Sequence, residues 1–195
     1  MNTNLEFYVK KVSNFLDKEF CNEVIQNIQS LNWQQHNFTY FDSKTKKHEK
    51  TKLSGEQELD TTYADDKNSK HSDIIMEKLW HEIKKYQNDY QHKWFDGWAG
   101  YTSIRFNRYE KTKKMAEHCD YINSIFDGVR KGGPMLSLLG LLNDDYNGGK
   151  FVMFEKEEIN LKQGDLLIFP SNFLYPHRVE PVTKGIRYSF ISWTW

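Results

Sequence analysis

The hydrophobic period of this 195-residue chain changes once, near Trp94, and that change limits the folds open to it. Before it, apolar residues recur at helical spacing. Phe20, Val24, Ile28 and Leu31 form one stripe, which predicts a helix over Leu16–Leu31 with Asp17 as N-cap, or Ser13 one turn earlier. Ile75, Leu79, Ile83, Tyr86 and Tyr90 form a second stripe over Ser72–Tyr90, widened by Met76 and Trp80. After Trp94 the alternation is twofold. It predicts strands at Gly100–Tyr109, Met135–Leu142, Lys150–Glu155, Leu166–Pro170, His177–Val179 and Arg187–Trp195. The turn-forming runs DDYNGG, QGD and TKG separate several of them. Helices followed by many short strands argue for an α+β fold, mainly β. The natural candidate is a double-stranded β-helix of jelly-roll or cupin type on N-terminal support helices.

The length suits one domain, with a helical support region over about 1–93 and the jelly-roll core over about 94–195. Between the helices, residues 41–72 are polar, charged and aperiodic. They are expected as a surface loop or hairpin, either a lid over a site or a plain exposed loop.

Charge and cysteine usage exclude some partners. Lys+Arg and Asp+Glu both number 27, so nothing argues for nucleic acid or an anionic membrane surface. No apolar run approaches a membrane span, and MNTNLEFYVKKV lacks the apolar stretch of a signal peptide. Cys21 and Cys119 form no CxxC pair and no disulfide framework, so a reduced, cytoplasmic setting is expected. Oligomeric state is not encoded in any of these features.

The sharpest chemical motif is His118-Cys119-Asp120. On an extended segment alternate side chains share a face, so His118 and Asp120 converge while Cys119 points away. HxD alone is weak. His177, framed by Pro176 and Pro181, supplies a third ligand. Two imidazoles and one carboxylate, with coordination positions left open, suit non-haem Fe(II). Glu155 is the alternative carboxylate, ranked below Asp120 because it is remote from His118 in sequence. Structural zinc would call for thiolates, whereas catalytic zinc on the same three residues stays open. His36, His48 and His71 lie in polar stretches and are expected to be solvated; His81 and His92 are expected at the surface or in packing.

Ten residues past His177 comes Arg187, sharing a strand face with Ser189, Ile191 and Trp193. An arginine inside a barrel is costly unless paired, and its planar fork matches a carboxylate. The ordinary alternative is a sheet-edge arginine paired with a nearby acid.

The segments NRYEKTKKMAEHCD, LSLLGLLNDDYNGGKFVMF and LKQGDLLIFPSNFLYPHRVEPVTKGIRYSFISW, taken in order, resemble the 2-oxoglutarate/Fe(II)-dependent dioxygenases, specifically the prolyl 4-hydroxylase-like branch. The resemblance covers about Tyr101–Trp195. It implies that His118, Asp120 and His177 bind iron and that Arg187 pairs with the C5 carboxylate of 2-oxoglutarate. It further implies that Tyr109 donates its hydroxyl to that carboxylate, that Ser137 lies near it, and that Ser189 completes an RxS pattern. Arg187 stands where many prolyl hydroxylases have lysine, and Met115 where they often have an aromatic, which weakens proline as the substrate.

The activity implied is hydroxylation of an unactivated C–H in a peptidyl or free amino acid, using Fe(II), 2-oxoglutarate and O2, with ascorbate as an accessory reductant, and releasing succinate and CO2. Trp98, Trp193, Trp195 and the polar 41–72 region are candidate substrate contacts, although packing is the commoner role for such rings. A cupin-like metalloenzyme without 2-oxoglutarate, and a non-catalytic barrel module, are the alternatives.

Overall fold

A computed structural model describes residues 3–42, 44–51, 55–64, 69–90, 100–120 and 133–194. After a short 3-10 turn at Leu5–Tyr8, the chain forms β1 (Lys10–Val12), α1 (Lys18–Ile28), β2 (Gln34–Gln35), β3 (Thr39–Asp42), β4 (Lys47–Lys50), β5 (Asp60–Tyr63) and α2 (Ser69–Tyr90). Among the described residues of the second half the regular elements are strands: β6 (Arg105–Tyr109), β7 (Met115–His118), β8 (Leu136–Leu141), β9 (Asn147–Gly148), β10 (Phe151–Met153), β11 (Glu157–Ile159), β12 (Leu166–Pro170), β13 (His177–Val179), β14 (Val182–Lys184) and β15 (Arg187–Thr194).

Two sheets carry the architecture. The major sheet has seven strands in the order β1-β12-β8-β15-β6-β5-β2, and the minor sheet four, β11-β10-β13-β7. All their pairings are antiparallel. This is the expected jelly-roll on N-terminal helices.

Side-chain alternation divides the core into two layers. Leu136 and Leu138, Leu166 and Ile168, and Tyr188 and Phe190 face α1 and α2. Their neighbours Leu139, Leu167, Phe169 and Ile191 face the minor sheet, against Phe151, Met153 and Val179. Strands buried on both faces read as the unbroken apolar runs LSLLGL and LLIF. The helices bury the stripes expected of them: Cys21, Val24 and Ile28 in α1, and Ile75, Leu79, Ile83 and Tyr86 in α2. Asp17 is the N-cap of α1, its carboxylate accepting the Phe20 N–H at 2.7 Å. The turn before β12 requires glycine. Gly164 has φ +87°, and a Cβ there would lie 2.1 Å from the Leu16 carbonyl oxygen.

The polar stretch 41–72 is more structured than a plain loop. The hairpin β3–β4 opens it, β5 joins the edge of β6, and α2 begins at Ser69, earlier than its stripe suggested. Among the described residues, no helix is long and apolar enough to cross a membrane.

Candidate active site

The minor sheet brings the two histidines side by side. His118 ends β7 directly opposite His177 on β13, and the ring centroids are 4.4 Å apart. Asp120, two residues beyond the end of β7, turns its carboxylate into the same space. Its Oδ1 lies 3.3 Å from His118 Nε2 and 3.7 Å from His177 Nε2. One ligand atom from each of the three lies within 4.8 Å of the others. Cys119 turns away, its thiol donating to the Phe173 carbonyl at 3.4 Å.

Each imidazole is held in one tautomer. His118 Nδ1 is 2.8 Å from the Ala116 carbonyl and His177 Nδ1 is 3.1 Å from the Tyr175 carbonyl. A carbonyl only accepts, so each Nδ1 carries a hydrogen, and each Nε2 is the ring nitrogen turned toward Asp120. His118 Nε2 is buried without a hydrogen-bond partner. Asp120 Oδ2 accepts the Ser137 hydroxyl at 2.6 Å and the Trp193 indole N–H at 3.0 Å, leaving Oδ1 for the imidazoles. Burial pushes His177 down to about 4, against the opposing pull of Asp120, so its imidazole is neutral at pH 7. Burial works against the Asp120 charge, but His177, His118 and the Ser137 hydroxyl outweigh it and hold the carboxyl well below the usual range. An imidazole that resists protonation at His177 and an ionised carboxylate at Asp120 are what a metal needs.

Arg187 lies deeper in the barrel. It begins β15, which runs between β8 and β6, and it faces Tyr109 in register. Its side chain is 1% exposed, with the guanidinium 4.9 Å from the Tyr109 ring centroid. Nη1 donates to Ser189 Oγ at 3.0 Å, Nε has no partner, and no described acid pairs with it. The sheet-edge alternative does not hold, because β15 is a central strand. Arg187 lines a cavity of about 370 Å³ with Tyr146, Gly149 and Phe151, and Asp144 and Glu158 line the same cavity without pairing with it. Burial raises the Tyr109 phenol above its ordinary range against Arg187 and Arg105, keeping it a hydrogen-bond donor. Among the described residues its hydroxyl has only the Met115 sulfur, at 3.8 Å, as a partner.

Three expectations need correction. Ser137 does not lie at Arg187. It pairs in register with Trp193, six residues along β15, and bonds Asp120 and the Ser171 hydroxyl, the latter also at 2.6 Å. Glu155 is exposed in the β10–β11 turn with φ 68°, so it cannot join the cluster. His36 is not solvated. Its Nδ1 lies 3.9 Å from the buried Glu58 carboxylate, and its ring packs on Phe38, whose ring in turn lies 5.0 Å from His118. His71 is also partly buried, beside Phe20 and Glu23. Trp98, Trp195, His92 and the His48 side chain lie outside the described residues.

Sequence reasoning missed Arg105, whose guanidinium stacks 4.8 Å from the Trp193 ring centroid. The signal was present, since Arg105, Asn107 and Tyr109 alternate along one strand.

Residues 104–195 match the model of the 2OG-Fe(II) oxygenase superfamily. The matched segment is just under half of the chain. A PKHD-type hydroxylase of Idiomarina loihiensis is 37% identical over 93 residues, covering 46% of this chain and 40% of that relative. This chain therefore matches less than half the length of that curated relative. A Pseudomonas putida prolyl-4-hydroxylase superposes with TM-score 0.67 at 17% identity, over 96% of this chain and 91% of that one. A Trichoplax adhaerens prolyl hydroxylase, solved with a peptide fragment of the hypoxia inducible factor oxygen degradation domain, gives TM-score 0.67 at 18% identity, over 96% and 83%. At such identities the oxygenase fold is what is shared, and it spans the support helices as well as the barrel.

Proposed function

We propose that this chain is an Fe(II)- and 2-oxoglutarate-dependent dioxygenase that hydroxylates an unactivated C–H of a peptidyl or free amino acid. The observation that carries the reading is Arg187, a fully buried guanidinium with no acidic partner among the described residues, in the same barrel as the His118–Asp120–His177 cluster. A cation so placed is expensive unless a ligand supplies the anion. The donor set, two imidazoles and one carboxylate, fits Fe(II) and would leave coordination positions open.

His118, Asp120 and His177 would hold the iron. Arg187, with Tyr109 beside it, would take the far carboxylate of 2-oxoglutarate through charge-assisted hydrogen bonds, and Ser189 orients the guanidinium. When bound, iron supplies O2 activation, while 2-oxoglutarate supplies two electrons and leaves as succinate and CO2. Ser137 and Trp193 hold the Asp120 carboxylate in one orientation. Phe38, Phe151 and Phe169 pack around the imidazoles and exclude water. The peptide-bound Trichoplax neighbour and the hydroxylase relatives support an amino-acid residue, free or in a chain, as substrate. Ascorbate would serve only to keep the iron reduced.

The test is to add Fe(II) and 2-oxoglutarate without O2 and record the weak visible metal-to-ligand charge-transfer band. The band should form with the native protein and be lost in His118→Ala. Iron binding with no band would instead favour a cupin-like metalloenzyme that does not use 2-oxoglutarate.

A further inference from the structure

Arg105 is a second cation of the barrel interior that the site as described leaves unused. Alternation along β6 puts Arg105, Asn107 and Tyr109 on the inner face, opposite Ile191, Ser189 and Arg187 of β15. Arg105 thus stands two register pairs from the Tyr109–Arg187 pair, about 13 Å along the strand. On its other side it pairs with Tyr63 of β5, which is 56% exposed. Arg105 therefore stands beside a solvent-exposed edge residue.

Its surroundings tie it to the metal cluster. The guanidinium stacks on Trp193, and the same indole donates to Asp120. Yet Nε is buried with no hydrogen-bond partner, and no described acid lies within ion-pair distance. Asn107 Oδ1, between the two arginines, is also buried and unsatisfied. Burial works against the Arg105 charge, and the more distant Tyr63, Asp120 and Tyr109 only partly support it. A stacked, desolvated guanidinium with an idle Nε–H is pre-organised for a planar anion. Iron would not complete it, because a metal ion adds positive charge. 2-Oxoglutarate, on the reading above, would commit one carboxylate to Arg187 and the other to the metal residues, leaving none for Arg105.

We propose that Arg105 receives a carboxylate of the primary substrate, holding it against Trp193 beside Asp120. The substrate would then be an amino acid with its α-carboxylate free, or a peptide carrying an acidic side chain next to the residue oxidised. This rests on the dioxygenase reading and narrows its substrate class.

The test uses the full chain with Mn(II) and 2-oxoglutarate, which permits binding without turnover. The free L-amino acids and short dicarboxylic acids are titrated by thermal shift and tryptophan fluorescence, each beside its carboxamide. Acetylated, amidated dipeptides containing Asp or Glu are titrated beside their Asn or Gln counterparts. A saturable response to at least one acid, about tenfold or more weaker for its amide, is expected. The free-acid and peptide arms identify the source of the carboxylate. Arg105→Met should remove the response and Arg105→Lys retain part of it, while 2-oxoglutarate affinity stays unchanged in both. Equal binding of acid and amide, or no response to any acid, overturns the proposal. So does a loss of 2-oxoglutarate affinity in Arg105→Met, which would assign the cation to the co-substrate. Should Arg105→Met fail to fold, the acid–amide comparison on the native chain and Arg105→Lys still decide. Absence of 2-oxoglutarate binding to the native protein would instead refute the dioxygenase reading itself.

Discussion

Trp193 donates its indole N–H to Asp120 Oδ2 at 3.0 Å, although the two residues are 73 positions apart in the chain. With the Ser137 hydroxyl on the same oxygen, the carboxylate cannot rotate freely, and Oδ1 stays toward both imidazoles. Groups that orient a ligand commonly affect metal affinity about 10- to 100-fold. Trp193→Phe keeps a ring under Arg105 but removes the N–H. It should weaken binding of Fe(II) or Co(II) about tenfold, as read by metal titration. Ser137→Ala should act in the same direction. Unchanged metal affinity in both variants would mean that Asp120 is positioned by its backbone alone.

Arg187 should show opposite effects on stability and on binding. Arg187→Met removes an unpaired buried charge and fills its volume, so the ligand-free protein should be as stable or gain roughly 1–4 kcal/mol. The same variant should lose about 100-fold or more in 2-oxoglutarate affinity, with Arg187→Lys intermediate, since a point charge cannot reproduce the fork. Denaturant melts and 2-oxoglutarate titrations measure the two effects independently. A variant that binds 2-oxoglutarate normally would remove Arg187 from the site.

Gly140 sets the approach of β8 to β15. A Cβ there would lie 2.0 and 2.1 Å from two ring carbons of Phe190, its register partner on the helix-facing side of the sheet. The fully buried ring has little room to retreat. Gly140→Ala should therefore cost about 3 kcal/mol in urea unfolding, and Phe190→Leu in the same chain should recover part of it. Purely additive losses in the double variant would contradict the clash.

The elements legible in the sequence are those that bury a regular stripe. α1, α2 and the apolar strands β8, β12 and β15 announce themselves because burial dictates their residue types. β1 (KKV), β7 (MAEH) and β11 (EEI) do not, since edge strands are held by backbone pairing to distant partners and leave one side wet. The site divides in the same way. Two-residue spacing was enough to converge His118 with Asp120 and to align Arg187 with Ser189. Placing Ser137 at Asp120 needed the register between β8 and β15, a long-range fact that no local pattern carries. The polar 34–63 segment, with His36 and Phe38 next to His118, was opaque for the same reason.

Cys21 supplies a pH prediction away from the site. Its side chain is fully buried on α1, and burial, with a smaller contribution from Asp17, pushes the thiol up to about 12. In the unfolded chain the thiol ionises near its ordinary value of 9.0. Below that pH both states keep the proton and stability is unaffected. Above it only the unfolded state releases the proton, so stability falls as pH rises toward 12, by at most about 1.4 kcal/mol per pH unit. The buried phenols of Tyr86 and Tyr175, also raised by burial, act in the same direction at still higher pH, so the thiol is isolated only by difference. Cys21→Ala should cost stability at neutral pH through the small cavity it leaves, yet lose less than the native chain between about pH 8 and pH 10.5. Iodoacetamide should label Cys119 in the folded protein and reach Cys21 only on unfolding. Parallel pH profiles for the two proteins, or prompt labelling of Cys21 in the native state, would show that α1 opens far more readily than its packing implies.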